Sequence, residues 1–389
     1  MRVAVTGMGL VAPGAVGVEA FRARLAEGQS LAAPIDRFDT DGLRVRAAAA
    51  VRDFKPRDFI APMKMRRMNL LSRYGVAAAK LALEDAGATL PNTAGVAMGT
   101  AFGPVQTSVD YMQEYVEKGA ALAPPQLFAE SVANAPGSHI AIEHDLRGFN
   151  VTITQRESSA LAAAMYAAAQ VVKGVVPAAL TGGVDELSEM VFSVLDRVGA
   201  LAEVARPFDR RRNGFAVGEG SAIFVLEAEP SRAPYAWLSG FGIARDTTAT
   251  ISDWGSDENA VVTAMRAALD DAEIAASDVD AIYASANGGV RGDAVEARAI
   301  RALFGESAPP VVALKGLFGE YAAAGALQLA AAILAVKDQT LHKSVGFEEE
   351  GVGITPNQEL RTTNLQHVLV SSLSAGGGIV TAVISKESA

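Results

Sequence analysis

Between residues 149 and 174 the chain passes from alternation to an unbroken apolar run. Residues 149–154 (FNVTIT) alternate β-branched and polar side chains, the two-residue period of a strand. Residues 158–172 carry no charge and are rich in Ala and Leu, which predicts a helix. A helix apolar on every side has to be buried on every side. Between strand and helix stand Gln155, Arg156 and Glu157, three polar residues at the mouth of that helix. A helix N-terminus offers unpaired N–H groups and partial positive charge, and so suits a nucleophile or an anion. A second uncharged run, residues 321–336, predicts a second buried helix and is too short and too rich in Ala and Gly to span a membrane.

The other elements follow from the same patterns. Residues 2–7 predict a strand and residues 18–27 a helix. Gly7-x-Gly9-x-x-Ala12 has the spacing of a dinucleotide-binding turn. Pro13 and Gly14 interrupt the helix that would receive the pyrophosphate, so the glycines read instead as a tight turn. Residues 63–87 predict one long helix with Leu70, Leu71, Tyr74, Ala78 and Leu81 on one face. Lys64, Arg66 and Arg67 at its start are badly placed for the helix dipole and invite an anionic partner. Strands are predicted at 95–99, 175–183 and 221–226, and helices at 109–116, 132–142 and 184–195, with Pro124 and Pro125 opening a loop. Residues 235–243 then repeat the opening strand, AWLSGFGI against VAVTGMGL. A helix (259–272), a strand (279–285), a helix (293–304), a strand (310–314), the second apolar helix and a strand pair (367–373, 378–385) complete the chain. Each half alternates strands and helices and supplies one wholly apolar helix. The chain therefore reads as a weak internal duplication, residues 1–230 and 231–389, two α/β halves around one core.

Composition narrows the function classes. Half of the 389 residues are apolar and 20% are charged, as expected of a soluble globular protein with a sizeable core. A net charge of −10 argues against nucleic acid as a partner. The absence of cysteine excludes disulfides, Cys-ligated zinc and a thiol nucleophile, and no cofactor or metal motif stands out. No charged segment followed by a long apolar one opens the chain, so a cytoplasmic protein without a membrane span is expected.

Further motifs carry a resemblance. Val3-x-x-Thr6-Gly7-x-Gly9, Arg206-Pro207-Phe208-Asp209, Asn213-Gly214-Phe215, Gly218-Glu219-Gly220, Val225-Leu226-Glu227, Gly292-Asp293-x-x-Glu296 and Lys315 occur in unbroken order. In these the chain resembles the β-ketoacyl synthases of fatty acid and polyketide synthesis. The resemblance implies the α/β thiolase fold, five layers αβαβα from two similar halves, with two buried helices as the middle layer. It also implies a dimer in which the strand at 149–154, with Val151, Ile153 and the adjoining Arg156, pairs across the two-fold.

The resemblance also implies where catalysis would sit, and there the chain departs from it. The family's nucleophilic Cys falls on Glu157, its first His on Ser285 and its second His on Glu320. The glycine-rich end reads Leu373-Ser374-Ala375-Gly376-Gly377, without the family's gating phenylalanine. His139, His144, His342 and His367 match no catalytic position. With neither Cys nor the His pair there is no acyl acceptor and no group to activate a malonyl carboxylate. Asp293, Glu296 and Lys315 remain as a buried polar network. A chain of this kind resembles the chain length factor, or ketosynthase β subunit, of type II polyketide synthases. That implies an active ketosynthase α partner, an acyl carrier protein docking near Arg66 and Arg67, and a tunnel lined by Gln106, Thr107, Val109, Tyr111, Met112 and Phe128. The position of the Cys is usually Gln in the aromatic branch of that group. Rival readings are a malonyl-carrier-protein decarboxylase, a hydrolase with Glu157 or Glu320 as base, and a homodimeric lipid-binding or scaffold protein.

Overall fold

The computed structural model describes residues 2–387 except residue 322. Eleven strands form one sheet: β1 (Val3–Ala12), β2 (Ala15–Val16), β3 (Gly95–Gly99), β4 (Asn150–Ile153), β5 (Ala178–Asp185), β6 (Gly220–Glu227), β7 (Ala236–Arg245), β8 (Ala281–Tyr283), β9 (Val311–Val312), β10 (His367–Leu373) and β11 (Gly378–Ser385). Their order is β9-β8-β10-β11-β7-β1-β6-β5-β3-β4, with β2 folded back on β1. The sheet is really two half-sheets, because β1 and β7 share only the pairs Val3–Leu238, Ala4–Trp237 and Val5–Ala236. In β4-β3-β5-β6-β1 the first three strands run parallel and the rest antiparallel. The other half, β9-β8-β10-β11-β7, repeats that order and those directions strand for strand.

Six helices position the site: α1 (Leu70–Ala86), α2 (Val105–Lys118), α3 (Ser159–Val172), α4 (Glu258–Ala272), α5 (Val290–Phe304) and α6 (Ala326–Asp338). α1 packs on β1 and β6, α4 on β7 and β11, while α3 and α6 lie between the half-sheets. This is the five-layer αβαβα arrangement of the thiolase fold, built from two similar halves.

The glycines of the two matching strands explain the repeat physically. β1 runs straight through Gly7 and Gly9 to Ala12, so the expected turn there is wrong. A Cβ on Gly7 would come 2.4 Å from the carbonyl oxygen of Ala82, and one on Gly9 2.1 Å from that of Ala78. In β7 a Cβ on Gly240 would come 2.3 Å from the oxygen of Ala268, and one on Gly242 1.9 Å from that of Ala264. Each pair lets an outer helix, α1 or α4, lie directly on its strand.

Four predicted elements are corrected. The long helix at 63–87 is two, Pro62–Met65 and α1, because the Asn69 side chain accepts from Ser72 N–H and starts a new helix. Pro125 does not open a loop but takes the first position of the helix Pro125–Glu130, where its missing N–H costs nothing. Val184 and Asp185 continue β5, and the helix follows as Glu189–Arg197. The second apolar helix starts at Ala326, preceded by Tyr321 and Ala323 with φ of 61° and 59°. Within α6 every residue from Ala326 to Val336 is buried, as expected. α3 is buried through its first turns, but Met165, Tyr166, Ala169 and Gln170 are only half-buried and Val172 is exposed.

Candidate functional site

The turn Arg156–Ser158 leads into α3 and puts Glu157 wholly inside the protein. Its carboxylate accepts from the Tyr321 hydroxyl (2.9 Å) and from Ala375 N–H (3.1 Å), while its carbonyl accepts from Ser372 Oγ (3.0 Å). Burial, and then the charge of Glu320, push the Glu157 carboxyl up to about 7; Arg156 and the Tyr321 hydroxyl oppose them. Burial, then the charge of Glu157, push the Tyr321 phenol well above its ordinary range. The next residue, Ser158, bonds to Ser374 through both its N–H (3.1 Å) and its hydroxyl (2.5 Å).

On the far side of Tyr321, Glu320 accepts from Lys315 Nζ (2.7 Å), Asn287 Nδ2 (2.7 Å) and Tyr321 N–H (3.1 Å). Lys315 and Glu320 expose only 2% and 1% of their side chains, so this is a buried ion pair. Asp293, in the first turn of α5, accepts the N–H groups of Phe208 (2.8 Å), Asn287 (3.0 Å) and Gly288. It is pushed up to about 6 by burial, against those bonds. Glu296 accepts from Ser285 N–H (2.8 Å) and from the Ser371 hydroxyl, and burial pushes it up to about 7. The Ser285 hydroxyl accepts from Leu373 N–H (2.9 Å) and lies 3.4 Å from Lys315 Nζ. Ser285 meets Glu296 and Lys315, Glu320 meets Lys315, and Glu157 joins them only through Tyr321, which donates its hydroxyl to Glu157 and its N–H to Glu320. Four buried carboxyl groups face one buried ammonium and the half-buried Arg156. They cannot all ionise cheaply, and burial raises both Glu157 and Glu296 to about 7.

Aromatic rings fill the remaining space. Tyr321 meets Phe102 (4.9 Å) and Phe215 (5.7 Å) edge-on, and Phe215 meets Trp254 (6.0 Å). The Arg156 guanidinium lies 4.7 Å over the Phe102 ring, an arrangement that φ of 52° at Arg156 permits. Among the described residues small voids lie near the network, one beside Phe102 and Tyr321 and one beside Trp254 and Ser285. Each has about 10 Å³, room for one water at most.

Other predicted residues fall elsewhere. Gln106 and Thr107 face a polar cleft of about 490 Å³ together with Arg66, Arg67, Arg37 and Glu186. Burial raises Glu186 to about 7. Tyr111 packs on Phe128 (5.6 Å) and Tyr115 (6.3 Å), and with the exposed Met112 and Phe128 forms an apolar face on the other side of α2; Val109 is half-buried. Val151 and Ile153 are half-buried on β4, the last strand of the sheet. The histidines lie outside the site: His139 bonds to Glu130, His342 to Tyr283 and His367 to Ser385. The sequence reading missed Tyr321, Asn287 and Ala375, which do much of the holding. Tyr321 was legible only as the lone polar aromatic at the head of the second apolar run.

Comparison with known proteins agrees with this fold. The N-terminal domain of β-ketoacyl synthase matches residues 1–231, and its C-terminal domain residues 235–348. The chain is 30% identical to the 3-oxoacyl-[acyl-carrier-protein] synthase 2 of Coxiella burnetii, over 99% of this chain and 98% of that one. It is 31% identical to the tetracenomycin polyketide synthase ketoacyl synthase beta subunit of Streptomyces glaucescens, over 90% of each. The ishigamide ketosynthase/chain length factor superposes with a TM-score of 0.93 at 29% identity, covering 100% of this chain and 99% of that one. A thiolase fold with a buried glutamate at the head of its central helix, and relatives of this kind along nearly its full length, make the chain a member of the β-ketoacyl synthase family.

Proposed function

We propose that this chain is a non-catalytic ketosynthase-like subunit, a chain length factor that pairs with an active ketosynthase and shapes the tunnel for the growing chain. The observation that carries this reading is Glu157. A carboxylate stands where the family holds its acyl acceptor, and it is already bonded to Tyr321 and Ala375. With the neighbouring voids no larger than a water, the interior is occupied by its own side chains.

Two surfaces support a partner. β4 ends the sheet, and its outer edge has no strand neighbour among the described residues. Unpaired edges are normally covered or blunted. Part of α3 is half-buried, and Met112, Tyr115, Val116 and Phe128 are exposed. Large apolar groups exposed together mark an interface. Under this reading β4 pairs with the partner through Val151 and Ile153, and the apolar face of α2 closes the tunnel only in the complex. Arg66 and Arg67, on the rim of the polar cleft, have no ion-pair partner among the described residues and suit an acidic carrier protein. The relatives named as a beta subunit and as a ketosynthase/chain length factor point the same way.

The test is reconstitution. The purified chain alone should neither take an acyl group nor condense malonyl units. Co-expressed with an active ketosynthase from the same organism, it should elute as a 1:1 heterodimer that makes product with an acyl carrier protein. Turnover by the single chain, or a stable homodimer indifferent to the ketosynthase, would sink the proposal. The hydrolase reading is not favoured, because the carboxylates of Glu157 and Glu320 are both engaged in hydrogen bonds.

A further inference from the structure

The turn at residues 206–212 carries four arginines, and three of them are paired. Arg206 and Arg211 meet Glu348, and Arg210 meets Glu349. Asp209 fixes the turn by accepting the N–H groups of Arg211 (2.8 Å), Glu348 (2.7 Å) and Glu349 (2.8 Å). Arg212 is the exception. It donates to the carbonyls of Asp209 and Val290 (3.2 Å each) and has no ion-pair partner among the described residues. Its Nε is buried and meets no acceptor there. The buried Asp293 feels its charge but accepts instead from the N–H groups of Phe208, Asn287 and Gly288.

Arg212 lines a cleft of about 550 Å³ together with Arg291, Arg298, Thr248 and Ser256. Arg291, Ala294 and Arg298 share one face of α5, while Asp293 and Glu296 are buried on the opposite face. The helix therefore stands between the cleft and the network around Glu320. Arg291 donates to Asp253 (2.9 Å), and Arg298 to Glu258 (3.2 Å) and the Ser256 carbonyl (2.9 Å). Both carboxylates hold their arginine from outside the lining, which contains no acid. The cleft at Arg66 and Arg67, by contrast, includes Asp110, Glu130, Glu186 and Glu189. In a chain of net charge −10, a cleft with three guanidinium groups and no carboxylate favours an anion.

We propose that this cleft binds a phosphate-bearing small molecule, with the phosphate held by Arg212, Arg291 and Arg298. The forked N–H groups of a guanidinium match the oxygens of a phosphate. The cleft falls within the roughly 300–1,000 Å³ typical of small-molecule sites, so an organic group carried by the phosphate has room beside Val290. A free inorganic phosphate or diphosphate and a phosphate ester offer the same chemistry, and the experiment separates them. The site belongs to this chain and is measured on the chain alone. Its failure and the failure of the partner-subunit reading are therefore separate results.

The purified chain is titrated with inorganic phosphate, pyrophosphate and adenosine diphosphate by calorimetry at constant ionic strength, with sodium chloride as the blank. Saturable binding of pyrophosphate at one site per chain is expected. Tighter binding of adenosine diphosphate would mark an ester as the source, and tighter binding of pyrophosphate an inorganic anion. Losing a hydrogen bond to a charged group should weaken pyrophosphate roughly tenfold to hundredfold in Arg212→Met and in Arg291→Met. Arg291 is exposed, so its variant carries the test if Arg212→Met does not fold. Arg66→Met combined with Arg67→Met should bind as wild type does, which separates this cleft from the other. Absence of saturable binding beyond the chloride blank overturns the proposal. So does binding that survives both cleft variants or is lost with Arg66 and Arg67. A cleft that takes up an acidic carrier protein through Arg212 and Arg291, yet binds none of the three phosphate compounds, overturns it as well.

Discussion

Replacing Lys315 by Met tests whether the surviving family residues are structural or chemical. The methionine keeps the apolar stem and deletes the ammonium that lies 2.7 Å from Glu320. Both partners are almost fully buried, so Glu320 is left with only Asn287 Nδ2 and Tyr321 N–H. Breaking a buried pair from one side typically costs about 3–5 kcal/mol. Against a total stability of about 5–15 kcal/mol that is a large fraction, easily read as a shift in the urea midpoint. Adding Glu320→Gln removes the orphaned charge, and the double variant should regain most of the loss, because an uncharged pair of similar shape is often no worse than a buried ion pair. Urea unfolding followed by tryptophan fluorescence, with m-values compared, gives all the quantities. The reasoning is refuted if Lys315→Met costs less than about 1 kcal/mol, or if the double variant is no more stable than the single one.

Glu157→Gln should flatten the pH dependence of stability. A carboxyl held at about 7 in the folded chain and near 4.5 unfolded keeps its proton longer when folded, so its contribution is complete below about 4.5 and is lost as pH rises toward 7. Denaturation midpoints at pH 5 and pH 7.5 should therefore differ less in Glu157→Gln than in wild type. In the reconstituted pair, Met112→Ala or Phe128→Ala should lengthen the product and Val109→Trp shorten it; an overpacked tunnel costs about 1–3 kcal/mol, roughly a tenfold to hundredfold bias against the longer chain. Mass spectrometry decides this, and an unmoved product length in every soluble variant removes the segment's role. Arg156→Ala should loosen the heterodimer, since it takes away a guanidinium that lies over Phe102 next to the edge strand; equal dissociation constants for mutant and wild type would place Arg156 outside the interface.

Much of the fold was legible because its period is strong. The strands at 367–373 and 378–385 have the predicted bounds, and both apolar runs form helices between the half-sheets. The likeness of VAVTGMGL to AWLSGFGI pointed to the repeat, although its cause was not a turn. The glycines recur because a helix backbone lies within 2.5 Å of where each Cβ would be, a contact that no local pattern displays. Boundaries failed where one side chain outweighed the period. Asn69 capped a new helix inside an apparently continuous one, and Asp185, accepting from Thr100 Oγ1 and Ala101 N–H, kept its strand going where propensity favoured a helix.

The site was legible by position but not by contact. Spacing from Gly182-Gly183, Asp293 and Lys315 placed Glu157, Ser285 and Glu320 together, and they do converge on one network. What spacing could not supply was the identity of the groups that satisfy them. Tyr321 continues an apolar run in the sequence, yet it leaves the helix in a left-handed turn and aims its hydroxyl at a carboxylate 164 residues earlier in the chain. Ala375 has no polar side chain to notice, yet its N–H meets the other oxygen of that carboxylate. A family that loses its nucleophile leaves a polar cavity, and an unfilled polar cavity is costly. At the positions that the resemblance assigns to the Cys and to one His stand two glutamates, Glu157 and Glu320. Each is fully hydrogen-bonded, one against a tyrosine and a backbone amide, the other against a lysine, an asparagine and a backbone amide. Substitution by chance would leave such groups unpaired. The pairing of both carboxylates argues that this part of the interior is built to be filled by its own side chains.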